Sequence, residues 1–172
     1  TNDKLTFSAG IGLFKSAFPV SQMARIAGEL ESYSKKNTGK NSITLFGASA
    51  DDGPYSNPIA YKWDVFTDKV CEQKLGFLQR CFYFDEKQTE ENKLFIGKGG
   101  LYRIMQLMTE CEAKHINIAR IAYTLGRMEP KDRKKMSAYN EIRESIYKWS
   151  LNESDRSELI TAIQLLVYSL RV

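Results

Sequence analysis

The opening stretch KLTFSAGIGLF alternates: Leu5, Phe7, Ala9, Ile11 and Leu13 take every second position, with Thr6 and Ser8 between them. A period of two places one row on one face of a strand, and the apolar row is expected to face a core. Pro19 ends the pattern. Val20, Met23, Ala24, Ala27 and Leu30 then recur at three- and four-residue spacing, one apolar stripe along a helix that Ser21 is placed to cap. Lys35 and Lys36 close the helix, where cations suit its negative end, Gly39 supplies a stop, and Ile43 and Leu45 open a second strand. A helix between two strands in this order suits a crossover joining parallel neighbours. Two strands alone do not bury a helix and remain stable, so further chain is expected to complete the sheet. A first residue of Thr1, not Met, agrees with that expectation.

At 172 residues there is room for one domain, or for half of one with a smaller second. A hydrophobic content of 42% with 12% aromatics suffices for packed cores. No apolar run approaches the roughly 18 residues of a membrane span, and no N-terminal signal pattern is visible, so a cytoplasmic protein with no membrane partner is expected. Cys71, Cys81 and Cys111 are odd in number and lack CxxC spacing, which points to buried thiols and away from disulfides or zinc. The net charge of +4 is unevenly spread: residues 1–62 carry seven Lys/Arg against five Asp/Glu, residues 63–130 ten of each, and residues 131–172 eight against six. Such a balance fits contact with a phosphate backbone, and a solvated face equally.

Residues 48–62, with two prolines and little periodicity, read as a linker. Asp51 and Asp52 within it precede Gly53 and Pro54, a turn setting and not a metal site. Everything beyond reads as helix. Trp63, Phe66, Val70, Phe77 and Cys81 trace a first stripe over 63 to about 83, and the polar loop DEKQTEENK follows at 85–93. Four further stripes run through Leu101–Met108, Ile118–Leu125, Met136–Trp149 and Leu159–Leu170, the last capped by Asn152 or Ser154. A bundle of about five helices is the expected outcome. No catalytic site emerges. His115 is the sole histidine and has no triad partner nearby in sequence, and Glu29 and Glu31, two apart, do not share a helix face, so no metal ligands are assigned.

Ala27 to Lys35, AGELESYSK, followed by GKNSI at Gly39 to Ile43, is similar in spacing to the end of diguanylate cyclase domains, which read ADxALYxAK and then GRN. The wording SAGIG, then PVSxMA, then GELE more closely resembles the large Palm-containing subunit of type III CRISPR effector complexes, in particular the type III-A (Csm) branch. The resemblance implies an α+β chain: the C-terminal half of a ferredoxin-like Palm domain (β-α-β) at 1–47, the linker at 48–62, and an all-α helical domain at 63–172 similar to the small helical subunit of the same complex. It also implies a role in RNA-guided antiviral defence. The full-length family subunit makes cyclic oligoadenylate from ATP with divalent metal (Mg or Mn) when target RNA binds, and its HD domain cuts single-stranded DNA. Neither GGDD nor HD occurs here, so this chain alone is expected to be inactive and to bind neither ATP nor metal. The implied partners are guide RNA, target RNA, the other subunits including the small helical one, and the rest of its own polypeptide.

Carried over by position, Lys35 matches the cyclase lysine that approaches the triphosphate, where phosphoryl transfer needs charge neutralised. The alternative is a solvated helix-end lysine. Ser8, on the strand face away from the apolar row, is a second candidate at the nucleotide pocket. Gly28 departs from the cyclase Asp, which argues against a cyclic-dinucleotide product of that type. In the helical part Ile96 to Gly100 lacks the full P-loop spacing, so flexible helix entry competes with phosphate contact there. Lys98, with Lys131, Arg133, Lys134 and Lys135, are the RNA-contact candidates; a solvated face is the competing explanation. Tyr139 and Tyr147 are near enough to stack on bases, although core packing suits Tyr139 better. A non-catalytic scaffold that binds guide and target RNA and neighbouring subunits therefore stands beside the nucleotidyltransferase reading.

Overall fold

The opening strand is present but covers only Ala9–Ile11 of the expected stretch, and the face it turns toward the following helix is not the apolar one. The computed structural model describes residues 5–46, 58–81, 98–110, 118–131 and 133–170, and divides the chain into two compact units, Thr1–Asp68 and Lys69–Val172. In the first, strand β1 (Ala9–Ile11) pairs in parallel with β2 (Ser42–Leu45) across helix α1 (Val20–Lys35), the expected crossover. A third strand, β3 (Ile59–Lys62), pairs antiparallel with β2, so the order is β1-β2-β3. That strand lies in the segment that reads as linker; four residues behind Pro58 are too few to show an alternation. Asp51 and Asp52 fall outside the described residues.

Helix α1 covers the small face of the sheet, not the apolar one. A Cβ built on Gly10 would stand 2.4 Å from the Glu31 amide nitrogen and 2.7 Å from the Leu30 Cβ, so position 10 points into the helix. Residues paired across a ladder share a face. Gly10 pairs with Thr44 and Thr44 with Ala60, so the helix rests on glycine, threonine and alanine and supplies the apolar volume itself through Ile26 and Leu30. The expectation that the row from Leu5 to Leu13 faces a core is corrected here: Leu5 is 99% exposed, Phe7 63%, and Ile11 and Leu13 are also exposed. The reason is steric, since a helix approaches closely only where side chains are short. On the central strand of that opposite face Ile43 and Leu45 are buried, as is Tyr61, whose ring lies 6.4 Å from Phe66. The Phe7 and Trp63 rings lie 4.8 Å apart, tilted by 39°, and the Trp63 indole N–H donates to the Phe7 carbonyl at 3.0 Å.

Capping differs from expectation at α1. The N-cap is Pro19, extended and without a side-chain cap, and Ser21 sits inside the first turn. At the far end Lys36 is the C-cap, and Gly39 takes a left-handed φ of 88°, the stop its sequence position suggests.

The second unit is helical. Its first helix begins within the first unit as short α2 (Trp63–Val65) and continues through a π-helical segment (Phe66–Leu75) to α3 (Gly76–Cys81), so the predicted first helix is present but wider in its middle. Helices α4 (Lys98–Glu110), α5 (Ile118–Arg127), α6 (Met136–Ser150) and α7 (Glu153–Ser169) follow, with a 3-10 turn (Arg133–Lys135) leading into α6. Asn152 caps α7 by accepting from the Ser154 amide at 3.0 Å. Leu101, Ile104, Met108, Ile121, Leu125, Ile142, Leu159 and Ile163 are buried, the core that the stripes mark. The first stripe skips from Val70 to Phe77, and the position between them is filled by a fully buried Lys74. Its Nζ lies 2.8 Å from Asp155 and 2.6 Å from Glu158 of α7 and 5.3 Å from the Trp149 ring. No helix among the described residues is long and apolar enough to cross a membrane.

Candidate functional site

In a parallel β-α-β unit the helix returns the chain to the end where the strands begin. Register Ala9↔Ile43 brings the starts of β1 and β2 together, and the C-terminus of α1 comes back to the same end. Two buried serines fix it there: Ser34 and Ser42 hydroxyls lie 2.8 Å apart, and the Ser42 hydroxyl donates to the Ser34 carbonyl at 2.7 Å. The intervening turn closes through the Lys40 amide donating to the Asn37 carbonyl at 2.9 Å, with Lys40 itself left-handed at φ 55°.

This corner gathers both nucleotide-binding candidates. Ser8, half-buried just ahead of β1, donates its hydroxyl to the Lys40 carbonyl. Lys35, in the last turn of α1, pairs with Glu31 one turn earlier at 2.6 Å, both about half exposed. Lys36 reaches over the Tyr33 ring at 5.9 Å. Three lysines and a hydroxyl thus collect around one helix end. An exposed i,i+4 pair is worth only about 0.3–0.5 kcal/mol, so Glu31 holds Lys35 too weakly to keep it from a phosphate. The donor set suits the phosphates of a nucleotide. It does not suit a divalent metal: among the described residues no group of three or more His, Cys, Asp or Glu is placed to hold one. Gly28 lies on the exposed side of α1, where an added Cβ would meet nothing.

The RNA-contact candidates lie in the second unit. Lys131, Arg133 and Lys134 are exposed and Lys135 half-buried, on the turn between α5 and α6. Lys98 opens α4, its side chain outside the described set. The glycine-rich entry is already helical from Lys98, and nothing lies within 4 Å of a Cβ at Gly99. Tyr139 is buried and its hydroxyl donates to the Leu125 carbonyl, joining the start of α6 to the end of α5. Burial raises its pKa; Arg143 pulls it back and Glu129 pushes it up. Cys71, expected buried, is half-buried; burial and then Glu72 push its thiol up, toward the unreactive protonated form. His115 and Cys111 fall outside the described residues.

Sequence reasoning missed two things. One is the Lys74–Asp155–Glu158 cluster, whose only signal is a lysine in the gap of an apolar stripe paired with carboxylates at i,i+3 far along the chain. The other is the outer face of α5, where Arg120, Tyr123 and Arg127 recur at i, i+3 and i+7.

Both units match models of domains from one protein family. Residues 81–172 match the family model described as CRISPR RNA silencing complex Cmr2 subunit, second helical domain, and residues 1–44 match Cas10/Cmr2, second palm domain. The CRISPR system single-strand-specific deoxyribonuclease Cas10/Csm1 (subtype III-A) of Streptococcus thermophilus is 38% identical over 174 residues, covering 99% of this chain. Its counterparts in Enterococcus italicus and Mycobacterium tuberculosis are 33% and 30% identical over 98% and 99% of the chain. The chain spans 21%, 18% and 19% of the length of these three curated relatives. A palm-type β-α-β unit followed by a helical unit, matched across nearly every residue, places the chain in the Cas10 family of type III-A CRISPR systems, as a C-terminal part of that family's large subunit.

Proposed function

We propose that this chain works within an RNA-guided antiviral ribonucleoprotein whose Palm domains make cyclic oligoadenylate from ATP when target RNA binds. The observation that carries the reading is the convergence of Ser8, Lys35, Lys36 and Lys40 at one end of the β-α-β unit. ATP supplies the adenylate and its leaving pyrophosphate, and a divalent metal supplies the charge that aligns them. The metal's ligands belong to polypeptide beyond these 172 residues, as does any HD domain that cuts single-stranded DNA. What this chain contributes is positive charge beside the phosphates, from Lys35 above all, with Ser8 holding the turn that carries Lys40 in place. The unpaired edge of β1 and the exposed row from Leu5 to Leu13 are covered by the rest of the same polypeptide. The helical unit contacts guide and target RNA through Lys98 and the run Lys131, Arg133, Lys134 and Lys135, and docks on neighbouring subunits, the small helical one among them. The setting is the prokaryotic cytoplasm.

Replacing Lys35 with Ala in the full-length subunit tests this directly. Oligoadenylate yield falls while the complex still assembles; unchanged synthesis rejects the role. One observation favours a second reading, a scaffold without a part in the chemistry: Lys35 and Ser8 both have local partners, Glu31 and the Lys40 carbonyl. On that reading Lys35→Ala and Ser8→Ala leave synthesis intact, and only substitutions in the basic run weaken RNA binding.

A further inference from the structure

The whole positive excess of the chain can be assigned to one short stretch. Residues 118–135 carry six Lys/Arg against two Asp/Glu, an excess of four, which equals the excess of the full chain at 25 against 21. Within that stretch α5 has no carboxylate, and its outer face has a particular makeup. Ile121, Thr124 and Leu125 are buried, while Ala119, Arg120, Ala122, Tyr123, Gly126 and Arg127 are exposed. Arg120, Tyr123 and Arg127 stand one above another at i, i+3 and i+7, bordered by residues too small to obstruct an approaching chain. Tyr123 is 64% exposed, and the Arg127 guanidinium lies over its ring at 5.9 Å. The Tyr139 hydroxyl on the Leu125 carbonyl holds the end of α5 against the start of α6, so the stripe runs on toward Lys131 and Arg133 at the same corner.

An exposed tyrosine alone means little. An aromatic ring between arginines, on a helix without acid and followed by a lysine and arginine run, has the composition of a surface that tracks a phosphate backbone and stacks unpaired bases. We infer that the Arg120–Tyr123–Arg127 face of α5 is a stacking platform for single-stranded nucleic acid. Tyr123 takes a base on its exposed ring and the arginines take the flanking phosphates. A duplex offers no open base, so the platform discriminates strandedness and not sequence. The inference deepens the RNA-contact reading, on which it rests, and adds residues that reading does not contain.

The test uses the full-length protein and fluorescence anisotropy against a labelled uridine single strand, the matching deoxythymidine strand and an RNA duplex. Tyr123→Ala is expected to weaken single-strand binding by about fivefold or more, with duplex binding unchanged and Tyr123→Phe retaining wild-type affinity. A fall on the RNA strand alone, or on both strands, supports the platform and identifies its ligand. Single-strand affinity that survives Tyr123→Ala overturns it. If Lys131→Gln, Arg133→Gln and Lys134→Gln together still weaken binding in that case, the basic-run reading stands without the platform; if they too change nothing, both fail. In the assembled complex, photocrosslinks from Tyr123 to a protein subunit in place of nucleotides also overturn the inference. Circular dichroism of each variant separates these outcomes from misfolding.

Discussion

The two units expose different chemistry. Among the described residues, the large apolar ones at the surface of the first are Leu5, Phe7, Ile11, Leu13, Val20 and Tyr33, while those of the second are four tyrosines and Leu151. Tyrosine carries its own hydroxyl to water; leucine and phenylalanine do not. Among the described residues the second unit has placed nearly all its aliphatic side chains inside and even encloses an ion cluster, whereas the first has an apolar row still at its surface and a strand edge with one neighbour. A sheet in that condition is a surface awaiting a cover, and the packing of α1 on the small face means that no element of the described first unit fills that role at β1.

The largest effect that sharpens this contrast is in the second unit. Lys74→Ala leaves Glu158 buried without its cation, and a loss of about 3–5 kcal/mol in urea unfolding is expected. Pairing Lys74→Met with Glu158→Leu restores much of it, since apolar groups of similar volume replace a buried ion pair at little cost. A loss below about 1 kcal/mol for Lys74→Ala, the range of a surface pair, breaks the claim that this unit depends on a sealed interior.

Next in size is Gly10→Val. Its Cβ has nowhere to go but into the backbone of α1, so a loss of about 1–3 kcal/mol is expected, seen as faster amide exchange along α1 while α6 and α7 keep their protection. Uniform loss across both units would mean that they do not unfold separately.

Tyr139→Phe costs about 1 kcal/mol by removing the bond to the Leu125 carbonyl. The pH dependence follows from the same group. Folding raises its pKa, so the native state holds the phenolic proton more tightly than the unfolded chain does. That contribution is whole below the unfolded value of about 10 and is lost as pH climbs through the higher folded value. The phenylalanine variant is accordingly less sensitive to alkali, and equal alkaline denaturation curves would contradict the assignment.

The smallest stability effect belongs to the functional candidate. Lys35→Ala changes the melting temperature by no more than the loss of an exposed helical pair, about 0.5 kcal/mol. A larger change would make Lys35 structural and weaken any reading of its effect on synthesis.

How much of this was legible before the fold was known depended on where the information lay. The crossover showed in local periods, because Val20 to Leu30 and Ile43 to Leu45 each declare their own element. The core stripes of α4 to α7 showed for the same reason, and the Asn152 cap was readable from one residue type. The face of β1 that receives α1 was not, because apolar character says that a row wants burial and not which neighbour arrives; the decisive residue was Gly10, whose missing side chain is a statement about space. β3 was hidden by its length. Lys74 was hidden because its partners lie 81 and 84 residues away in sequence. Lys35 and Ser8 were each legible separately, and only the parallel register shows that they share one end of the unit.

The account stands on the border of β1 being one that other chain completes. Amide hydrogen exchange at the β1 amides that point away from β2, compared between this 172-residue chain and the full-length protein, tests that most directly. The predicted result is rapid exchange in the short chain and strong protection in the long one, with α6 and α7 alike in both. Equal protection of β1 in the two would contradict it.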